Sequence, residues 1–312
     1  MLTRRETLGI LAGPVLAGKA SQPSTAVNFH IPSNACDCHT HIYGDPQRFP
    51  LSPARVYTPE PALPNEMAAL HRALHMRRVV IVTPSVYGTD NSATLLGIKA
   101  RGKNARGVAV IDETTSDGEL DRMAQAGIRG IRITSATAGA NDPAAVGQRF
   151  QAAAKRVAPH GWHIQIYTNL TVISAIKDLV RNSPVPVVFD HFGGAQAAQG
   201  LDQPGFADLF TPVGEGHAYV KISGAYRAST QSPDYRDVVP LAQTLIRANP
   251  DRILWGSDWP HPNTSRAGDA HIVTPFLEID DGRFLNQLAI WAPDPFVREK
   301  ILVENPARLY GF

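Results

Sequence analysis

From Asp37 to Gly44 the chain reads DCHTHIYG, which puts His39 and His41 one residue apart at the end of an apolar run. On an extended strand, alternation turns Asp37, His39 and His41 to one face and Cys36, Cys38 and Thr40 to the other. Two imidazoles at this spacing can ligate a metal, organise a metal-free active site or simply alternate within a core. Two later runs also end on residues able to do chemistry: FDHFGG offers His191 and WGSDWPHPN offers Asp258. Taken alone, a strand-end Asp equally serves as a turn or helix cap. What separates these readings is whether the elements carrying the four residues converge.

Eight short apolar runs rich in β-branched residues recur along the chain: ACDCHTHIY, RVVIVTPS, RGVAVI, RGIRIT, WHIQIYT, VPVVFDHFG, AYVKISG and RILWGSD. Segments of helical periodicity lie between them, such as NEMAALHRALHM, DGELDRMAQAG and TVISAIKDLVRN. Several open on Asn, Asp or Ser and close on Gly or Pro, as helix caps require. This alternation predicts a single (β/α)8 barrel of the TIM type; an open doubly wound sheet shares the local pattern. No GxGxxG follows the first run, which argues against the nucleotide-binding version of the open sheet. In a closed barrel, strand 8 lies beside strand 1. Asp258 then neighbours His39 and His41, with His191 two strands away, all on the catalytic face.

The HxH of His39 and His41, the DH of Asp190 and His191, and SDWPHPN from Ser257 to Asn263 occur in this order at these strand ends. With YGTDN from Tyr87 to Asn91 and the C-terminal ILVENPARLYGF, they resemble the amidohydrolase superfamily. Within it the likeness is to the amidohydrolase-related lactonases, the branch that hydrolyses pyrone dicarboxylates and isomerises galactarolactones. It runs from about Asn34 to Phe312. It implies a distorted (β/α)8 barrel that opens esters, lactones or amides with an activated water. Metal-bound relatives add a Lys, Glu or His ligand on a middle strand. Here RGIRIT offers Arg132, and WHIQIYT offers Gln165 and Tyr167, so a two-metal site is not expected.

Two mechanisms suit His39, His41, His191 and Asp258. In one, they hold a single divalent cation such as Zn2+, whose bound water is acidified toward neutral pH. In the other no cofactor is required: Asp258 is general base on water, and the histidines polarise the carbonyl and stabilise the oxyanion. The resemblance is to the branch using the second route, which is therefore the expectation. It also implies that Arg132 and Arg227 contact substrate carboxylates, with Tyr57 and Tyr167 at substrate-contacting positions. A further arginine expected just beyond Arg132 is missing, since ITSATAGAND supplies Ala136, Ala138 and Ala140. The substrate is thus expected to carry one carboxylate, or hydroxyls in place of a second acid. Lys221, in phase with Ser223, is expected to sit in a buried ion pair.

The remaining sequence bounds the partner and the compartment. The 312 residues carry 43% hydrophobic and 19% charged side chains and a formal net charge of +2, with Lys and Arg dispersed. A small molecule, here a carboxylated lactone, is expected as partner; nucleic acid and a stable membrane anchor are not. Arg4 and Arg5 precede a short apolar run from Leu8 to Gly18, and Gly18 and Ala20 form a small-x-small cleavage site. Residues 1–26 are read as a twin-arginine-like export signal and polar spacer, and 27–312 as the barrel domain, placing it in the periplasm; a frayed helix of a cytoplasmic protein is the alternative. Cys36 and Cys38 are not expected to bond, because i and i+2 on a strand sit near the limit of about 6.8 Å for a disulfide. They are expected on the helix-facing side of the first strand. Besides hydrolysis, the same residues suit a lactone isomerase, a metal-dependent decarboxylase or a periplasmic protein that merely binds a small acid.

Overall fold

The computed structural model describes Ala20 and residues 22–134, 142–264 and 269–312. Eight parallel strands form one sheet in chain order: β1 (Cys36–Thr40), β2 (Arg78–Val82), β3 (Ala105–Ala109), β4 (Ile128–Thr134), β5 (His163–Tyr167), β6 (Val187–Phe189), β7 (Ala218–Ser223) and β8 (Ile253–Gly256). The sheet curls until its first and last strands meet. Just past β8, the Asp258 N–H donates to the His39 carbonyl at 2.8 Å and the His41 N–H to the Trp259 carbonyl at 2.9 Å. The expected (β/α)8 barrel is therefore the fold.

The strands are apolar on both faces because both are covered. Val79, Ile81, Ile131, Ile133, Ile164 and Ile166 point out and pack in the main core with the helices. Helices α1 (Pro64–Ala73), α2 (Ser92–Arg101), α3 (Asp117–Ala126), α4 (Pro143–Val157), α5 (Leu170–Arg181), α6 (Phe206–Gly214) and α7 (Val239–Ala248) lie in the connections. After β8 come α8 (Asp281–Trp291), α9 (Pro295–Glu299) and α10 (Asn305–Tyr310). Their starts follow from local chemistry. Ser116 and Glu119 form a capping box on α3, and the side chains of Asp142, Asn169 and Asp280 accept first-turn N–H groups of α4, α5 and α8.

One expectation about β1 fails. Asp37 pairs with Val79 but Thr40 pairs with Ile81, so three steps on β1 match two on β2. This bulge breaks simple alternation. Cys36 and Cys38 consequently face the interior, packed with Val80, Val82, Val108, Val188 and Leu254, and not the helices. Both are free thiols. Asp37 turns outward to His71 on α1, while Thr40 reaches Met67 on the same helix.

Two loops over the catalytic face are joined by a small parallel pairing, Thr58–Pro59 with Val273–Thr274. The first of them carries Tyr57. Residues 1–19 of the expected export signal lie outside the described residues, but its polar spacer is docked. Ser24 Oγ and Thr25 Oγ1 donate to Asp280 Oδ2 at 2.7 and 2.6 Å, and Asn286 Nδ2 to the Ala26 carbonyl at 2.9 Å. No described helix is long and apolar enough to cross a membrane.

Candidate active site

The catalytic-face ends of β1, β6 and β8 bring His39, His41, His191 and Asp258 together in the buried mouth of the barrel. The bulge supplies the first two: with Thr40 outward, His39 and His41 both turn in. His191 and Asp258 immediately follow short strands and adopt positive φ, 49° and 67°. Such backbone costs roughly 1–3 kcal/mol per residue and is retained where surrounding structure dictates it. Two glycines make room. A Cβ on Gly256 would sit 2.6 Å from His39 Cβ, and one on Gly224, at φ 55°, would sit 3.1 Å from Asp258 Oδ2.

Asp258 is held by one oxygen. Its Oδ2 accepts from Tyr226 Oη and from Arg227 Nε, each at 2.6 Å. Its Oδ1 has no hydrogen-bond partner and lies 3.6 Å from His39 Nε2 and 3.4 Å from His41 Nε2. Burial alone would raise this carboxyl, but the Arg227 guanidinium outweighs it and holds the group well below the usual carboxylate range. Asp258 is thus ionised, oriented and open at a single lone-pair site.

The three imidazoles are neutral at pH 7. Burial is the main cause, pushing His39 well down, His41 down and His191 to about 4. Their outer nitrogens are tied to fixed partners. His41 Nδ1 lies 2.7 Å from the Val82 carbonyl, which can only accept, so His41 carries its proton there and turns the Nε2 lone pair inward. His191 Nδ1 faces the Ser223 carbonyl and Oγ at 3.3 and 2.9 Å, leaving its Nε2 3.9 Å from Asp258 Oδ2. His39 Nε2 is buried without a partner. Donor atoms around tetrahedral zinc are roughly 3.3–3.4 Å apart for ligand distances of about 2.0–2.1 Å. The set His39, His41 and Asp258 therefore fits a divalent cation, with His191 beside it. A cation bound there would supply Lewis-acid polarisation and acidify a water.

Below His39 lies a buried charge cluster. Asp190 Oδ2 accepts from Arg132 Nε at 3.2 Å and from Gln165 Nε2 at 2.9 Å. Its Oδ1 is 3.2 Å from His39 Nδ1 and 3.4 Å from Lys221 Nζ, which donates to Gln165 Oε1 at 2.6 Å. Burial would raise Asp190; the cations Lys221 and Arg132 hold it well below the usual range. Lys221 is fully buried in an ion pair, as the sequence suggests. Arg132, expected to fork onto substrate, directs Nε and Nη2 to Asp190, both at 3.2 Å. Arg227 likewise gives Nε to Asp258 and reaches Thr264 Oγ1 and the Pro262 carbonyl at 3.3 and 3.4 Å. The Tyr167 ring lies against both guanidiniums, 5.2 Å from Arg132 and 5.8 Å from Arg227. Tyr57 is buried beside them, its hydroxyl 3.0 Å from that of Tyr43. The positions of Ala136, Ala138 and Ala140 lie outside the described residues.

A family model described as Amidohydrolase matches residues 36–312, nearly the whole barrel. The chain belongs to the amidohydrolase family. It is 35% identical over 292 residues to a 2-pyrone-4,6-dicarboxylate hydrolase of Comamonas testosteroni, covering 90% of this chain and 92% of that protein. It is 34% identical to a 4-sulfomuconolactone hydrolase of Rhizobium radiobacter, over 92% of this chain and 93% of the relative. A D-galactarolactone isomerase of Agrobacterium fabrum is 30% identical, over 92% and 94%.

Two residues of this amidohydrolase escaped the sequence reading. Asp190 stands in the DH motif, yet nothing in the motif says that it gathers Arg132, Gln165, His39 and Lys221. Tyr226 neighbours Arg227 in sequence, and only the turn at Gly224 shows that both reach the same carboxylate oxygen. Chemically, the mouth offers an anionic acceptor at Asp258 Oδ1, imidazole nitrogens within 4 Å of the carboxylate, and cationic groups on two sides.

Proposed function

We propose that this enzyme opens a small carboxylated lactone, resembling 2-pyrone-4,6-dicarboxylate, by attack of an activated water on the ring carbonyl. The observation that carries this is the unpartnered Asp258 Oδ1 facing the His41 Nε2 lone pair at 3.4 Å. Two acceptors so placed suit one water that donates a hydrogen to each and turns its oxygen lone pair to the carbonyl. Asp258 takes the proton as the water oxygen bonds to carbon, and His39 Nε2 faces the carbonyl oxygen as its charge grows; collapse of this adduct breaks the ring C–O bond, and the proton on Asp258 passes to the departing ring oxygen. Arg132 and Arg227, both against the Tyr167 ring, form the wall against which a substrate carboxylate docks. Substrates named for two relatives, a pyrone dicarboxylate and a sulfonated muconolactone, are likewise anionic lactones.

Asp258→Asn tests the reading, with ring opening followed through the absorbance of the conjugated lactone. We expect kcat to fall at least about a thousandfold in a folded protein, because the proton acceptor is gone. Wild-type turnover is expected to persist after dialysis against a chelator, since the water is activated by Asp258; loss restored by Zn2+ would replace this route with the cation-held one. Turnover unchanged in Asp258→Asn would sink the assignment. Release of an isomeric lactone instead of the open acid would change hydrolysis to isomerisation, in which a substrate hydroxyl attacks the same carbonyl.

A further inference from the structure

Lys221 is fully buried on β7, out of reach of any substrate entering from the catalytic face, in a barrel whose next interior layer is Val80, Val82, Val108, Val188 and Leu254. Removing an ammonium from water costs several kcal/mol even when it is paired. An apolar residue would pack against that layer without this penalty. Among the four residues placed at the reaction, Lys221 touches one, His39, with Nζ 3.3 Å from Nδ1.

The neutral imidazole of His39 has two forms, and its surroundings supply a partner for either. Asp190 Oδ1 would accept from Nδ1–H, leaving Nε2 as a lone pair toward the site. Lys221 Nζ would donate to a bare Nδ1, putting the proton on Nε2. Asp190 Oδ1 is 3.2 Å away as an ion-pair contact and has no hydrogen-bond partner. Lys221 Nζ is within hydrogen-bond reach of the same nitrogen at 3.3 Å. An ammonium offers donors only, so a nitrogen that it bonds must present a lone pair. Lys221 is itself fixed from the opposite side by Gln165 Oε1 at 2.6 Å.

We infer that Lys221 is a positioning residue that holds His39 in the Nε2–H form, making it the N–H donor to the carbonyl oxygen of the opening lactone. His41 cannot play that part, because its proton is committed to the Val82 carbonyl. The two histidines of β1 thus divide the work: His41 receives from the water, and His39 donates to the oxyanion. The role of Lys221 in the reaction rests on the lactone-opening reading, whereas its effect on the His39 ring does not.

Two measurements separate those layers. The 15N resonances of histidine-labelled wild-type protein, with His39 assigned by its absence in His39→Gln, are expected to show a protonated Nε2 and a bare Nδ1. A protonated Nδ1 in wild type would overturn the inference whatever the activity. In Lys221→Met, Asp190 Oδ1 becomes the remaining partner and the ring is expected to switch to Nδ1–H. Arg132 still neutralises Asp190 there. If the lactone is the substrate, kcat falls about a hundredfold while KM moves less than about threefold, as for a lost oxyanion donor. An unchanged ring form and kcat in a folded Lys221→Met would also overturn it. If wild type opens no lactone but shows the Nε2–H form, the functional reading fails and the positioning of His39 stands.

Discussion

Arg227 Nε donates to Asp258 Oδ2 at 2.6 Å, and this single contact both orients the carboxylate and keeps it ionised. Tyr226 Oη reaches the same oxygen at the same distance. Together they leave Oδ1 as the open edge of the carboxylate. Oxygen selection is local geometry, whereas ionisation depends chiefly on the guanidinium charge, so the two partners have separable effects.

Tyr226→Phe is expected to lower kcat about tenfold with little change in KM, because the carboxylate loses one of two restraints but keeps its charge partner. Arg227→Met removes the charge and, with it, one of the two arginines of the proposed anion-binding wall. It should lower kcat/KM by at least about a hundredfold, and it should raise the acid limb of the pH–rate profile, because the neighbour that holds Asp258 low is gone. An acid limb that stays put in Arg227→Met would show that Asp258 is not the group whose protonation stops turnover.

Buried imidazoles set the acid stability of the barrel. His163 is held to about 3, by burial and then by Lys221, and His191 to about 4, chiefly by burial. In the unfolded chain both take protons near 6.5. Between about pH 6 and 4 the unfolded state therefore binds more protons, and stability falls as pH falls. Each such group contributes a slope of about 1.4 kcal/mol per pH unit once its unfolded form is charged. His163→Gln should flatten the stability profile from urea melts at pH 6, 5 and 4 by about that amount. A profile as steep as wild type would contradict the neutral state of His163.

Gly256 lies where β8 passes the catalytic end of β1. An alanine Cβ there would lie 2.6 Å from His39 Cβ and 2.8 Å from its backbone N, neither of which can swing aside. Gly256→Ala should destabilise the protein by about 1–3 kcal/mol through forced backbone shifts. The same shift moves His39 away from Asp258, so kcat should fall more than tenfold at temperatures where the variant is fully folded. Full activity in a folded Gly256→Ala would mean that the β1–β8 seam tolerates movement that the reaction does not feel.

The barrel was legible because its signal is repetitive and local: eight apolar runs, each followed by turn chemistry and a helical period. His39, His41, His191 and Asp258 were legible because each stands at the end of such a run, and barrel closure leaves them one common place. Simple period-two alternation misplaced Cys36, Cys38 and Asp37, since a bulge adds one residue to β1 and local composition does not announce it. The parity error left the histidines facing inward and changed everything before them on the strand.

Sequence by itself determined the strand and helix order, the residues at the catalytic face and the family. Tertiary structure decided how those residues are coupled. Tyr226 and Arg227 converge on Asp258 Oδ2 because a left-handed turn at Gly224 folds them back, and Asp190 gathers Arg132, Gln165, His39 and Lys221 from four other strands. Such contacts depend on side-chain directions summed around a closed barrel. A hydrogen bond takes effect within about 3 Å, whereas Lys221 and His39 are separated by 182 positions in the chain, and only the closed fold converts that separation into contact.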